Sequence, residues 1–211
     1  MRDLDVRQAV KRALEQQHQG DDDTRIVEEM GIWSGSVRVD VAVINGELQG
    51  YELKSEKDTL NRLPAQRDLY SRVFDRVTLV SAEKHLEKAS ALIPDWWGLC
   101  AARADSSGNV SLSFIRAPNR NPCLEPMQIA RLLWRSEALE ILLERELAQG
   151  VRSKPVEILC RRLAEALPID ELRAEVRSAL KRRVGWLRKS LCDQSEVSVH
   201  ANRNPGCTTP C

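Results

Sequence analysis

Several features that would assign a protein to a class at once are missing from this 211-residue sequence. No apolar run approaches the length of a membrane span, so we expect no membrane partner. The N-terminus begins polar and charged, without a signal peptide, and there is no internal repeat and no Walker-type or G-x-G-x-x-G loop. The six cysteines form no C-x-x-C pair, which indicates reduced thiols in a cytoplasmic protein.

A strong excess of one charge is also missing. The net charge of +1 implies no overall attraction to nucleic acid, but the charges are unevenly distributed. Residues 1–126 carry 17 basic and 20 acidic side chains, whereas residues 127–191 carry 14 basic and 9 acidic ones. The first part is therefore the better place for a metal site, and the second part is the better place for contacts with phosphates.

The most informative segment is residues 37–54, VRVDVAVINGELQGYELK. Alternating valines predict a first strand whose opposite face carries Asp40, and LQGYELK predicts a second strand after an Asn-Gly turn. In that second strand Glu52 and Lys54 share a face, because side chains alternate along a strand. Two carboxylates and a lysine are therefore expected to converge on one face of an otherwise apolar hairpin.

This convergence sets a condition on the hairpin loop. A strict two-residue turn would place Asp40 opposite Tyr51 and would turn Glu52 to the other face of the sheet. One extra residue is therefore required, as a longer loop or a bulge, and Gly46 and Gly50 are the candidates to accommodate it.

The three charged side chains also indicate a chemistry. Such charges are costly to bury unless they are paired or hold a metal ion. Mg²⁺ is commonly held by one or two carboxylates together with water and substrate phosphates. A lysine beside the ion can steady a phosphate oxygen or the attacking water. The residues therefore point to metal-assisted hydrolysis of a phosphodiester, with Mg²⁺ or Mn²⁺ as the cofactor.

Asp40 followed by Glu52-Leu53-Lys54 resembles the Asp…(Asp/Glu)-x-Lys signature of the PD-(D/E)xK nuclease superfamily. The helix predicted after the lysine contains Gln66 and Tyr70, and this pair is similar to the Q-x-x-x-Y element of RecB-like members. A spacing of four places both side chains on one helix face. The run over residues 50–80, with IPDWWGL after it, is similar to a small bacterial family of predicted nucleases known by a locus-tag name of the sce series. That resemblance covers about residues 1–190.

The resemblance implies a restriction-endonuclease-like α/β fold, with an αβββαβ core around a mixed central sheet. It also implies that Asp40, Glu52 and the Leu53 carbonyl hold the metal ion, while Lys54 orients or activates the water. Gln66 and Tyr70 would support the site or the bound strand. The expected activity is that of a Mg²⁺- or Mn²⁺-dependent deoxyribonuclease.

A third acidic residue at the metal site is left open between three glutamates. If the segment around it is a strand, Glu28 lies among apolar neighbours, where a perturbed acid is expected. Glu29 takes that place if the segment is helical or shifted by one residue. Glu15, near the apolar stripe of the first helix, is the third candidate, and a solvated glutamate is its simpler interpretation.

Four segments are expected along the chain: a nuclease-like core over 1–117, a Pro- and Asn-rich linker over 118–125, an all-helical extension over 126–191 and a disordered tail over 192–211. In the core, apolar spacing predicts helices over 3–18 and 63–74, a strand over 76–81 and a hairpin after the Trp-Trp pair. In the extension, the pattern predicts one helix over 126–150 and two further helices after it.

Basic side chains outside the hairpin motif are candidates for contacts with DNA phosphates: Arg38, Lys57, Arg62, Arg152 and Lys154. The joint that carries the last two is also consistent with a packed helical lid whose charges are solvated. The densest basic cluster follows at 181–189. Two other functions stay open: a protein of the same fold that binds nucleic acid or a partner without turnover, and an interaction scaffold built on the C-terminal helices.

Overall fold

A computed structural model of the chain describes residues 1–32 and 37–183. The tail expected to be disordered and the last residues of the 181–189 basic cluster lie outside the described residues. The fold is α/β, with a mixed sheet and a helical C-terminal region, as predicted.

Six strands and seven α-helices form the described part of the chain. The strands are β1 (Arg25–Ile32), β2 (Val37–Ile44), β3 (Leu48–Lys54), β4 (Arg76–Ala82), β5 (Gly98–Ala104) and β6 (Val110–Arg116). The helices are α1 (Asp3–Gln17), α2 (Leu63–Tyr70), α3 (Leu86–Leu92), α4 (Pro126–Ala130), α5 (Arg135–Glu144), α6 (Val156–Ala166) and α7 (Ile169–Arg182). A short 3₁₀ turn, Glu83–His85, precedes α3. None of these helices is long and apolar enough to cross a membrane.

The strands lie in the sheet in chain order, from β1 at one edge to β6 at the other. The pairs β1–β2, β2–β3 and β5–β6 are antiparallel. The pairs β3–β4 and β4–β5 are parallel, and the connections between them contain α2 and α3, as parallel neighbours require. The order from α1 to β4 is the predicted αβββαβ order.

Each face of the sheet is covered by helices. On one face α1 packs Val6, Val10 and Leu14 against apolar side chains of β2, β3, β4 and β5. On the other face a larger apolar core joins the sheet to α2 and to the C-terminal helices. Because that core is continuous from the sheet to α7, the predicted core and the helical extension share their buried interior.

The β2–β3 hairpin has the extra residue that the charge pattern requires. Ile44 pairs with Leu48, which leaves a three-residue loop of Asn45, Gly46 and Glu47. Of the two glycines predicted to accommodate the extra residue, Gly46 lies in the loop. Gly50 instead lies in the regular ladder opposite Ala42, where a Cβ atom would come 3.1 Å from the Phe74 ring.

The prediction of one continuous helix over 126–150 is wrong. The structure divides it into α4 and α5, separated by a turn at 131–134. Trp134 adopts an extended conformation at the start of α5, and its backbone N–H donates to Glu137 Oε2 at 2.6 Å. The apolar spacing continues across this break, so the pattern alone predicted an uninterrupted helix.

The segment predicted as a linker, 118–125, is held against the sheet domain. Asn121 is buried, and its side-chain amide donates to the Ser71 and Phe74 carbonyl oxygens at 2.7 and 2.8 Å. Its backbone N–H donates to the Asp75 carbonyl at 2.8 Å. Asp75 is itself buried and pairs with Arg173 of α7 at 2.5 Å. These contacts connect the helical region to the sheet through polar groups as well as the apolar core.

Candidate functional site

A cavity of about 730 Å³ opens where the N-terminal part of α1, Glu29 of β1, the start of β2, the end of β3 and α2 meet. Most of the side chains that the sequence singled out lie in its wall. They are Arg38, Asp40, Glu52, Leu53, Lys54, Arg62 and Gln66. Four further charged residues that line the cavity are Asp3, Arg7, Glu29 and Asp58.

Glu52 and Lys54 form a buried ion pair at the end of β3. Lys54 Nζ lies 2.6 Å from Glu52 Oε1, and the two side chains are 4% and 2% exposed, respectively. The same ammonium donates to Gln66 Oε1 of α2 at 3.1 Å. Lys54 is therefore held by two acceptors in the orientation that places it at the cavity wall.

Tyr70 of α2 contacts the Glu52 carboxylate of this pair. Its hydroxyl lies 2.8 Å from Glu52 Oε2 and 2.9 Å from the Arg38 carbonyl oxygen, and its ring stacks on Trp97 with centroids 6.1 Å apart. The ring is fully buried, and burial followed by the Glu52 charge raises the pKa of Tyr70, so the hydroxyl remains a proton donor. Trp97 is also fully buried.

Asp40 lies near Glu52 in the wall of the same cavity and is held at both carboxylate oxygens. Oδ2 accepts the Leu53 N–H at 2.8 Å, and Oδ1 pairs with Arg7 Nη2 at 3.1 Å. Burial, and then the negative charge of Glu52, raise the pKa of Asp40 to about 7, although the Leu53 N–H and Arg7 act in the opposite direction. Two carboxylates thus lie close enough to repel each other.

Arg7 was not anticipated from the sequence. Its guanidinium contacts the side chains of Asp3, Glu29 and Asp40 and also the Asp40 carbonyl oxygen. Burial lowers the pKa of Arg7, but the surrounding carboxylates outweigh that effect and raise it overall. Of these partners of Arg7, only Asp3 could be predicted from the sequence, because it lies four residues earlier on the same helix.

Of the three candidate glutamates, Glu29 lines the cavity, and Glu28 lies outside the lining. Glu29 has a φ of 52°, in the left-handed region, and this reverses the side-chain alternation within β1. As a result Val27 and Met30 both pack in the larger core, and Glu28 turns away to pair with Lys11 at 2.6 Å. The placement of Glu28 among apolar neighbours was therefore wrong. The structure brings in Glu29, the alternative left open for a shift of one residue, and Glu15 stays outside the cavity lining on α1.

The candidate phosphate-binding residues divide into two groups. Arg38 and Arg62 are exposed and line the cavity. Lys57 is exposed in the segment between β3 and α2 and does not line the cavity. Arg152 and Lys154 are exposed in the turn before α6, away from the cavity lining, and their carbonyl oxygens accept hydrogen bonds from Arg135.

Within residues 1–32 and 37–183, no three or more His, Cys, Asp or Glu side chains are grouped closely enough to hold a metal ion by themselves. The available donors are the carboxylates of Asp40 and Glu52 and the Leu53 carbonyl. That set fits Mg²⁺ or Mn²⁺, since such sites need one or two carboxylates and complete their shell with water and phosphate. A divalent cation would also relieve the repulsion between Asp40 and Glu52, which adds to the effect of burial in raising the pKa of Asp40.

The fold and the cavity define an α/β protein with a charged pocket at the ends of the central strands. The chain belongs to a family described as bacteriophage P4 protein cII, whose model matches residues 2–203. It is 34% identical over 85 residues to protein cII of Enterobacteria phage P4, a match that covers 40% of this chain and 32% of the relative. The chain therefore spans about a third of the length of that relative.

One solved structure is also similar, a protein of unknown function from Silicibacter pomeroyi. The two share 21% sequence identity with a TM-score of 0.42, over 69% of this chain and 92% of the other.

Proposed function

We propose that the protein is a Mg²⁺- or Mn²⁺-dependent nuclease that hydrolyses phosphodiester bonds in DNA, as a cytoplasmic member of the PD-(D/E)xK superfamily. The observation that supports this most is that Asp40, Glu52 and Lys54 line one open cavity, on two strands joined by a three-residue hairpin loop. A two-residue turn would have separated these side chains.

In this proposal, Asp40, Glu52 and the Leu53 carbonyl hold the metal ion. When bound, the ion neutralises charge on the scissile phosphate and lowers the pKa of its water. The Leu53 N–H fixes the Asp40 carboxylate, and Tyr70 fixes that of Glu52. Lys54, oriented by Gln66, presents its ammonium to the attacking water or to a phosphate oxygen.

Basic residues at the cavity rim provide the contacts with DNA. Arg38 and Arg62 are exposed and lie in the wall, where each can meet a phosphate without being buried. Arg152 and Lys154 lie elsewhere on the surface and would contact DNA only if the bound molecule extends to the helical region. The proposal therefore assigns them a smaller contribution to binding.

A binding protein without turnover is the second candidate, because a specific observation favours it. Each proposed metal-holding carboxylate already has a cationic partner in the chain: Asp40 has Arg7, and Glu52 has Lys54. A pocket neutralised in this way is compatible with recognition of phosphates by Arg38 and Arg62 alone.

A cleavage assay discriminates between the two. Plasmid and branched DNA are incubated with the protein and Mn²⁺ or Mg²⁺, in parallel with Asp40→Ala, Lys54→Ala and, as a control, Lys88→Ala on the exposed side of α3. The nuclease proposal predicts metal-dependent cleavage that falls by about 100-fold or more in the first two variants and is unchanged in the control. Equal cleavage by all the proteins would reject this site, and tight DNA binding without cleavage would favour the second candidate.

A further inference from the structure

Arg7 occupies an unusual position for a helix-surface arginine, because its guanidinium contacts three different carboxylates in one cavity. Nη2 lies 3.1 Å from Asp40 Oδ1 and 3.1 Å from Asp3 Oδ2, and Nη1 pairs with Glu29 and lies 3.2 Å from the Asp40 carbonyl oxygen. The side chain is only 13% exposed. Arg7 thus already supplies positive charge beside the carboxylate proposed to hold the metal ion.

The two contacts of the Asp40 carboxylate differ in their freedom to move. Oδ2 accepts the Leu53 N–H, which belongs to a central strand of the sheet. Oδ1 pairs with Arg7, whose guanidinium has five N–H donors and two other carboxylate partners. The contact with Arg7 is therefore the one that can be given up without disrupting the backbone.

We infer that a divalent cation displaces Arg7 from Asp40, and that the guanidinium, still held by Asp3 and Glu29, then faces an anion bound in the same cavity. This inference rests on the proposed metal-dependent function. Before metal binding, Arg7 compensates the charge of Asp40. After metal binding, Arg7 is a positioning group for a phosphate oxygen, since its remaining partners keep it in the cavity wall.

A purely structural role makes a different prediction. If Arg7 only ties α1 to the sheet, its loss lowers the stability of the fold and does not raise the affinity for a cation. If Arg7 competes with the cation for Asp40, its loss raises that affinity, because binding no longer has to break the ion pair. Metal affinity therefore separates the two roles, whereas stability alone does not.

The experiment measures Mn²⁺ binding to the full chain without DNA, by electron paramagnetic resonance of free Mn²⁺ and by calorimetry. Arg7→Met is compared with the wild type and with Lys11→Met. Lys11 is a matched control, because it lies one turn along the same helix and its partner Glu28 is outside the cavity lining. We expect the Kd for Mn²⁺ to fall about fivefold or more in Arg7→Met, the lower end of common coupling between sites, and to stay unchanged in Lys11→Met.

An unchanged or higher Kd in a folded Arg7→Met protein overturns the inference. If that variant does not fold, Arg7→Lys is used for the test. Lysine keeps the positive charge but lacks the several N–H donors of the guanidinium, so we expect a smaller fall in the Kd for Mn²⁺. An unchanged Kd in Arg7→Lys overturns the inference. Tighter Mn²⁺ binding in a protein that never cleaves DNA supports the inference and rejects the nuclease. DNA cleavage with equal Mn²⁺ binding in all variants supports the nuclease and rejects the displacement of Arg7. Absence of Mn²⁺ binding in every protein rejects both proposals.

Discussion

Lys54 donates to Glu52 across 2.6 Å in a setting where both side chains are nearly inaccessible to solvent. The same pair is proposed to act in metal binding and in water orientation, so its removal affects stability and activity together. The effects on stability can be separated by comparing variants, because different variants leave different charges unpaired.

We predict that Lys54→Met lowers the free energy of unfolding by about 3–5 kcal/mol, because it leaves the buried Glu52 carboxylate without its cation. The double variant with Glu52→Gln should be less destabilised than Lys54→Met alone, since no unpaired charge remains. Urea unfolding measures both. The exposed pair Arg103–Glu83 is the control, and Arg103→Ala should cost less than about 1 kcal/mol. A double variant as unstable as the single one would contradict this account.

The two tyrosines provide a matched comparison. Tyr70→Phe keeps the ring that stacks on Trp97 but removes the hydroxyl beside Glu52, and we expect it to lower the free energy of unfolding by about 1–3 kcal/mol. Tyr51→Phe removes a hydroxyl whose contact with Gln49 is long, at 3.4 Å, so its effect should be smaller. Thermal unfolding of both variants tests this, and equal losses would show that the Glu52 contact is not important.

Asp40 should make stability depend on pH. The unfolded carboxyl ionises near its ordinary pKa of 3.8 and the folded one near 7, so the folded state holds more protons between these values. The free energy of unfolding therefore falls as pH rises through this interval, by at most about 1.4 kcal/mol per pH unit. Above about pH 7 both states are ionised and the contribution of Asp40 becomes constant.

Asp40→Asn removes this dependence. The difference in the free energy of unfolding between wild type and Asp40→Asn should decrease from about pH 4 to pH 7 and level off above that. Denaturant unfolding of both proteins across this range measures the difference. Parallel pH profiles would show that Asp40 ionises at its ordinary pKa in the folded protein.

The pair between Asp75 and Arg173 should unite the sheet and the C-terminal helices into one cooperative unit. Both side chains are at least 90% buried, and Asp75 also accepts the Leu48 N–H at 2.6 Å. We expect Arg173→Met to lower the free energy of unfolding by about 3–5 kcal/mol. Circular dichroism and tryptophan fluorescence should report a single transition in the wild type. Two separate transitions in the wild type would instead show independent domains.

Much of the fold and of the site could be predicted, because the relevant signals are local. The alternation of side chains correctly placed Glu52 and Lys54 together on β3. The prediction that the valines of β2 share one face was wrong, since Val39 packs in the larger core and Val41 and Val43 pack against α1 on the other face. The spacing of four residues placed Gln66 and Tyr70 on one face of α2, and the family resemblance linked them to the site. The structure has both in contact with the Glu52–Lys54 pair. The element order up to β4 followed from the family resemblance, since the local pattern left the segment that forms β1 open between a strand and a helical turn.

The rest depended on contacts between distant residues. Arg7 and Asp40 are 33 residues apart, and nothing in the pattern of α1 marks Arg7 as different from other surface arginines. The exchange of Glu28 for Glu29 depends on a single backbone angle, which alternation cannot indicate. The division between α4 and α5 and the attachment of residues 118–125 likewise depend on packing against other elements.

By itself, the sequence determined that Glu52 and Lys54 share a face of β3 and that the hairpin loop needs one more residue than an Asn-Gly turn supplies, because both follow from the two-residue period of a strand. Only the tertiary structure decided which cations neutralise those charges. Ion pairs form between whichever side chains the fold brings within a few ångströms, and that proximity is a property of the packed sheet and α1 rather than of any one segment.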